Sequence, residues 1–203
     1  FEYFYTMGED FTGDLAAHYE FAGDLLNAKD DGTTAEVPNS YAGAPTYVTD
    51  RNGVESSALA FGAGQRIETP ALVGAETNYT IAMWVYVEPT NATLYVDRNS
   101  GSHSDTGHKI TITSAGLVAL DGVVSAGKII YDAWQFIAVV GSYDGEAEVY
   151  VNGIKQDIIA CSAFTTLTEG LIGSDLVGKV DDFWAWSRSL DAKEIADLYA
   201  AEK

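Results

Sequence analysis

The chain of 203 residues carries 30 Asp and Glu against 11 Lys and Arg, a formal net charge of −19. An acidic surface of this size repels phosphate backbones and anionic membranes, which excludes nucleic acid as a partner. Hydrophobic residues make up 47%, which excludes a disordered chain, and no apolar stretch approaches the roughly 20 residues that insert across a membrane.

No Ser/Pro-rich or Gly/Ser-rich run marks a linker. The chain therefore reads as one domain over residues 15–203, behind residues 1–14 as a leader or extra edge strand. It starts at Phe1 with no initiator Met and no signal region, and so reads as an excised or processed piece of a longer polypeptide with other domains. Leu15 to Gly23 is the opening strand, and Asp30 to Asn52 is a long polar connection bearing Tyr41 and Tyr47. Ala58 to Phe61 and Arg66 to Glu68 are short strands. Tyr79 to Val87 alternates with period two. Ile81, Met83, Val85 and Val87 fall on one face, Ala82, Trp84 and Tyr86 on the other. A polar loop from Asp97 to His108 leads to Lys109 to Thr113 and Leu117 to Leu120, folded about Ser114-Ala115-Gly116. Trp134 to Val140 and Glu146 to Val151 are strands. Asn152-Gly153 then makes a hairpin turn, because both residues tolerate positive φ. Ile154 and Lys155 begin the return. Cys161 lies in an apolar run and reads as a buried, inert thiol. Leu171 to Ile172 and Val180 to Trp186 complete the strands. Asp191, with Glu194 three residues on, opens a helix whose apolar stripe is Ile195, Leu198 and Tyr199. Short strands with tight turns and one terminal helix give an all-β, antiparallel two-sheet sandwich.

These segments, in this order, resemble the laminin-G-like and concanavalin A-like lectin/glucanase jelly-roll superfamily. The resemblance is carried by Ala58-Leu59-Ala60-Phe61-Gly62, by Tyr79 to Val85 with Trp84, and by Trp134 to Tyr143 with Asp144-Gly145. Tyr150-Val151-Asn152-Gly153 and Gly178-Lys179-Val180-Asp181-Asp182 add to it, so that it runs from Leu15 to Tyr199. It implies a jelly-roll sandwich in a secreted or cell-surface protein. The single Cys, which cannot form an internal disulfide, points to a bacterial source. It implies function only as a class, since the fold hosts lectins, carbohydrate-binding modules, adhesion domains and glycosidases.

Glycoside hydrolysis on this sandwich needs carboxylates paired at a fixed separation. The Glu-x-Asp-x-x-Glu strand of laminarinase-type relatives is absent. Glu146 and Glu148 share a strand face but no third acid follows, and they read as solvated. His103, Asp105 and His108 are of types that ligate zinc or copper, yet they lie in a Ser/Gly-rich loop and read as a hairpin tip. No catalytic residue is assigned, and the chain reads as a binding module, not an enzyme.

The resemblance also implies a structural calcium ion bound through oxygen donors. Its candidates are Asp24, Asn27 and Asp30 after the opening strand, with Asp181 in the closing strand. Asn27 stands where the family usually has Asp. On a regular strand Asp181 and Asp182 point to opposite faces, so their side chains share a site only if a bulge intervenes.

Sugar recognition pairs an aromatic platform with polar groups. Trp84 and Trp134 occupy recurrent family positions and read as core. In the closing strand Asp182, Trp184 and Trp186 share one face, opposite Asp181, Phe183 and Ala185. Exposed, that ladder would stack a sugar ring beside an acid. Buried, it would pack under the leader, with Phe1, Tyr3 and Tyr5, or under the terminal helix. The expected function is a non-catalytic glycan-binding module that takes an oligo- or polysaccharide. The alternative, a structural or adhesive protein-interaction domain, requires Trp184 and Trp186 to be buried. A glycoside hydrolase or lyase requires a deep cleft with two acids or a His–Tyr pair.

Overall fold

The computed structural model describes residues 13–29, 34–37, 43–72, 78–98, 108–142, 145–161 and 168–203. The leader at 1–12, Asp30, Tyr41, His103 and Asp105 lie outside the described residues.

Among those residues, strands run in chain order as β1 (Leu15–Tyr19), β2 (Thr46–Val48), β3 (Ala58–Phe61), β4 (Ile67–Pro70), β5 (Tyr79–Val87), β6 (Ala92–Arg98) and β7 (Lys109–Ile112). They continue as β8 (Leu117–Leu120), β9 (Val123–Lys128), β10 (Trp134–Gly141), β11 (Glu146–Val151), β12 (Ile154–Ala160), β13 (Glu169–Ile172) and β14 (Gly178–Trp186), before helix α1 (Ala192–Ala201). Every pairing is antiparallel. One sheet has the order β12-β11-β10-β5-β14-β3-β2, with β1 also pairing with β14, and the other has the order β4-β13-β6-β7-β8-β9. This is the expected two-sheet jelly-roll sandwich.

Two apolar layers follow from the alternation. Ile81, Met83, Val85, Val139, Val180 and Phe183 point between the sheets and form the main core. Their neighbours Ala82, Trp84, Phe136, Ala138, Trp184 and Trp186 point outward and join Ile195 and Leu198 of α1 in a second core. Asp191 caps α1, accepting from the Glu194 N–H at 2.8 Å while the Glu194 carboxylate accepts from the Asp191 N–H at 2.7 Å. The β11–β12 turn has φ 51° at Asn152 and 76° at Gly153, as an Asn-Gly hairpin requires. A side chain at Gly153 would meet the Tyr199 ring at 2.9 Å, so this turn also has to be bare for α1 to pack over it.

Candidate functional site

Strand β14 pairs with β5 along most of its length, but its other edge changes partner. Gly178 to Val180 face β3, whereas Phe183 to Trp186 face β1. At the changeover the register against β5 slips between Asp181 and Phe183, and Asp182 takes φ 44°. The bulge absorbs one residue, so Val180 and Phe183 both point inward and the two acids between them reach the same outer side.

Arg51, from the β2–β3 turn, fills that gap. Its Nη1 donates to Oδ2 of both Asp181 and Asp182, the latter at 2.8 Å. Its Nε donates to the Glu202 carbonyl at 2.8 Å, its Nη2 to Glu202 Oε2 at 3.2 Å, and its guanidinium lies 4.9 Å from the centre of the Trp84 ring. His18 Nε2 lies 2.9 Å from Asp182 Oδ1, with its ring stacked on Trp184 at 5.0 Å. Helix α1 has no basic residue in its last turn; Arg51 supplies the cation that favours a helix C-terminus from another element. Three carboxylates share this one guanidinium. Burial first, then the neighbouring Asp182 charge, push Asp181 up to about 7 against the pull of Arg51, and burial raises Glu202 as well.

This geometry corrects the expected sugar ladder. Trp184 and Trp186 are 0% exposed. They lie beneath α1, the second of the two arrangements their alternation allowed, and a ring without solvent access cannot stack a ligand. Asp182 is spent on Arg51 and His18. The burial of the pair is what the protein-interaction alternative required.

The described calcium candidates make other hydrogen bonds. Asp181 is held by Arg51. Asn27 Oδ1 accepts from the backbone N–H of His18 at 2.9 Å and of Lys29 at 3.2 Å, and Asp24 Oδ1 accepts from the Leu26 N–H at 3.0 Å. Through these bonds the two side chains fix loop backbone. Among the described residues no three acidic, His or Cys side chains are grouped to hold a metal. Of the catalytic candidates, Glu148 is tied to the Tyr150 hydroxyl and to Lys155 Nζ at 2.8 Å. His108 is not at a hairpin tip. It is buried just before β7, with Nδ1 2.7 Å from Asp121 Oδ2. Beside it Asp97 accepts from the Tyr95 hydroxyl and is pushed by burial up to about 7.

A different aromatic set is open. Cross-strand pairs Thr46–Ala60, Ala60–Lys179, Lys179–Tyr86 and Tyr86–Trp134 line up as one row across β2, β3, β14, β5 and β10. At about 4.8 Å per strand the row spans roughly 19 Å. All of its members reach solvent to some degree. The Tyr86 and Trp134 rings meet at 6.0 Å and 72°, and Lys179 Nζ lies 4.8 Å from the centre of the Tyr86 ring. The row lies one step beyond Trp84 and Phe136, on the face that α1 covers only in part. Sequence reading placed Tyr86 on the correct face but assigned Trp134 to the core. The recurrent strand pattern says which side a residue faces, not where the covering helix ends.

A family model for the concanavalin A-like lectin/glucanases superfamily matches residues 61–196. The chain belongs to that superfamily. Among solved structures, this lectin/glucanase-type domain is similar to domain 4 of AbnA, a GH43 extracellular arabinanase from Geobacillus stearothermophilus, solved with arabinotriose. The TM-score is 0.71 at 19% identity, over 92% of this chain and 98% of that one. It is also similar to the receptor-binding domain of botulinum neurotoxin C/D mosaic serotype, with TM-score 0.70 at 11% identity, over 95% of this chain and 52% of that one. A third similar structure is the binding domain of botulinum neurotoxin DC in complex with SialylT, with TM-score 0.68 at 12% identity, over 96% and 53%. The chain thus spans about half of the neurotoxin binding domains. At these identities the likeness shows the fold. Comparison with curated protein sequences gave no match.

Proposed function

We propose that this domain is a non-catalytic glycan-binding module of a larger secreted or cell-surface bacterial protein, and that its sugar-contacting surface is the row ending in Tyr86 and Trp134. The observation that carries the reading is this pair of half-buried rings, beside an ammonium group, on the outer face of the sheet. An indole offers a sugar's C–H face a large apolar contact at low entropic cost, and Lys179 supplies donors for hydroxyls. The similar arabinanase domain was solved with arabinotriose and a similar neurotoxin domain with SialylT, which supports a carbohydrate partner. A second reading, a protein-interaction domain, is supported by the burial of Trp184 and Trp186 and by exposed Val123, Val124 and Ile158 on the edge strands β9 and β12.

A glycan panel that includes arabino-oligosaccharides, applied to the 203-residue chain and to Trp134→Ala, tests the choice. Binding that Trp134→Ala weakens at least tenfold, with an unchanged melting temperature, supports the module. Binding indifferent to Trp134, or none by the folded chain, leaves the protein-interaction reading.

A further inference from the structure

Two cations on this face lie against aromatic rings. In a chain with 30 acids and 11 cations, Arg51, Arg66, Lys155, Arg188 and Lys193 all form ion pairs with carboxylates. Lys179 and Lys203 instead lie against rings, Lys179 4.8 Å from the centre of Tyr86 and Lys203 5.7 Å from that of Tyr199. Tyr199 stacks on Trp84 at 5.6 Å, two residues along β5 from Tyr86, so both ammonium groups flank one aromatic surface. The acid nearest to Lys179 along its strand, Asp181, is ion-paired with Arg51. On the other side of Lys179 the row drops to Ala60, whose methyl group leaves room beside the ammonium.

Resting on the glycan-binding reading above, we infer that the row takes an acidic glycan, with a hexuronate ring on Trp134 and its carboxylate at Lys179. A cation held against an aromatic ring keeps its charge available to an incoming carboxylate, and a charge-assisted hydrogen bond is about twice as strong as a neutral one. The net charge of −19 repels such a ligand at long range, but at physiological salt this field is screened beyond about 8 Å. The local pair then decides affinity, and the distant charge lowers only the association rate.

The test is calorimetric titration of the 203-residue chain with oligogalacturonate and with a neutral arabino-oligosaccharide of equal length, at low and high NaCl. The inference expects oligogalacturonate to bind more tightly, and Lys179→Met to weaken it about tenfold more than it weakens the neutral sugar. Lys179→Arg should restore most of the loss. Equal binding of both sugars, or a Lys179→Met effect of the same size on both, overturns the acidic ligand and leaves the module standing. Failure of both sugars to bind, with the fold verified by circular dichroism, overturns both.

Discussion

Replacing Arg51 with Met removes the guanidinium that three carboxylates share while keeping most of the apolar stem. Arg51 and Asp181 side chains are 7% and 3% exposed, so solvent cannot take over the solvation of the stranded acids. Breaking a buried ion pair from one side costs about 3–5 kcal/mol, a large part of the roughly 5–15 kcal/mol that holds a domain together. The cost depends on pH in a defined direction. Asp181 stands at about 7 in the fold against an ordinary 3.8. Between those values the folded chain keeps a proton that the unfolded chain has released, so stability falls as pH rises through this window. Without Arg51 the acid is harder still to ionise. The variant should therefore lose about 3–5 kcal/mol at pH 8 but only about 1–2 at pH 5, where Asp181 is already neutral. Equilibrium urea unfolding, followed by tryptophan fluorescence at both pH values, reads this as a lower midpoint at pH 8. Adding Asp181→Asn to the variant should recover part of the loss at pH 8. A loss of the same size at both pH values, or less than about 1 kcal/mol at pH 8, would refute the argument that Arg51 offsets buried negative charge.

Variants at two other positions probe the interior. Trp184→Ala should cost about 3–5 kcal/mol by opening a cavity beneath α1. Trp184→Phe should cost far less, because the buried indole N–H has no hydrogen-bond acceptor to lose; thermal melts separate the two, and similar losses would disprove the packing role. Asp97→Asn should raise the melting temperature at pH 8, where the wild-type carboxyl is forced to ionise in a buried place with Oδ2 unpartnered. At pH 5 it should change little, and an equal gain at both values would mean that Asp97 is neutral throughout.

Much of the architecture was legible because local rules and global fold agree. Alternation in Tyr79 to Val87 sorted the residues of β5 onto the correct faces, the Asn152-Gly153 turn has the positive φ it needs, and Asp191 with Glu194 caps the helix. Strand β6 escaped notice because its register slips between Thr93 and Tyr95, which breaks period two. Strand β9 escaped because Val123 and Val124 are both exposed, so it shows no alternation at its start. Strand β2 was read as part of a polar connection, which it resembles in composition. The Asp181–Asp182 pairing depended on a bulge, and nothing in Val180 to Trp186 marks one. Its cause lies in the partner change from β3 to β1 and in an arginine about 130 residues earlier in the chain.

The open row owes its existence to where α1 stops. The outer face of the sheet has a shallow place at Ala82, which pairs directly with Ala138, and the helix settles there on Ile195 and Leu198. Its entry is tied down at the Thr80 end of β5, where Thr80 Oγ1 accepts from the Leu190 N–H at 2.9 Å and donates to the Arg188 carbonyl at 2.9 Å. Its exit is tied down at the Trp84 row, where Arg51 holds both the carbonyl and the carboxylate of Glu202. A helix clamped at both ends over this stretch of β5 shields Trp84, Phe136 and Trp184 and stops short of Tyr86 and Trp134. Burial of one pair of aromatic residues and exposure of the next are thus consequences of the same two clamps. Loosening Arg51 should disturb the flank of the glycan surface as well as the stability of the domain, whereas truncating Trp134 should disturb the surface alone.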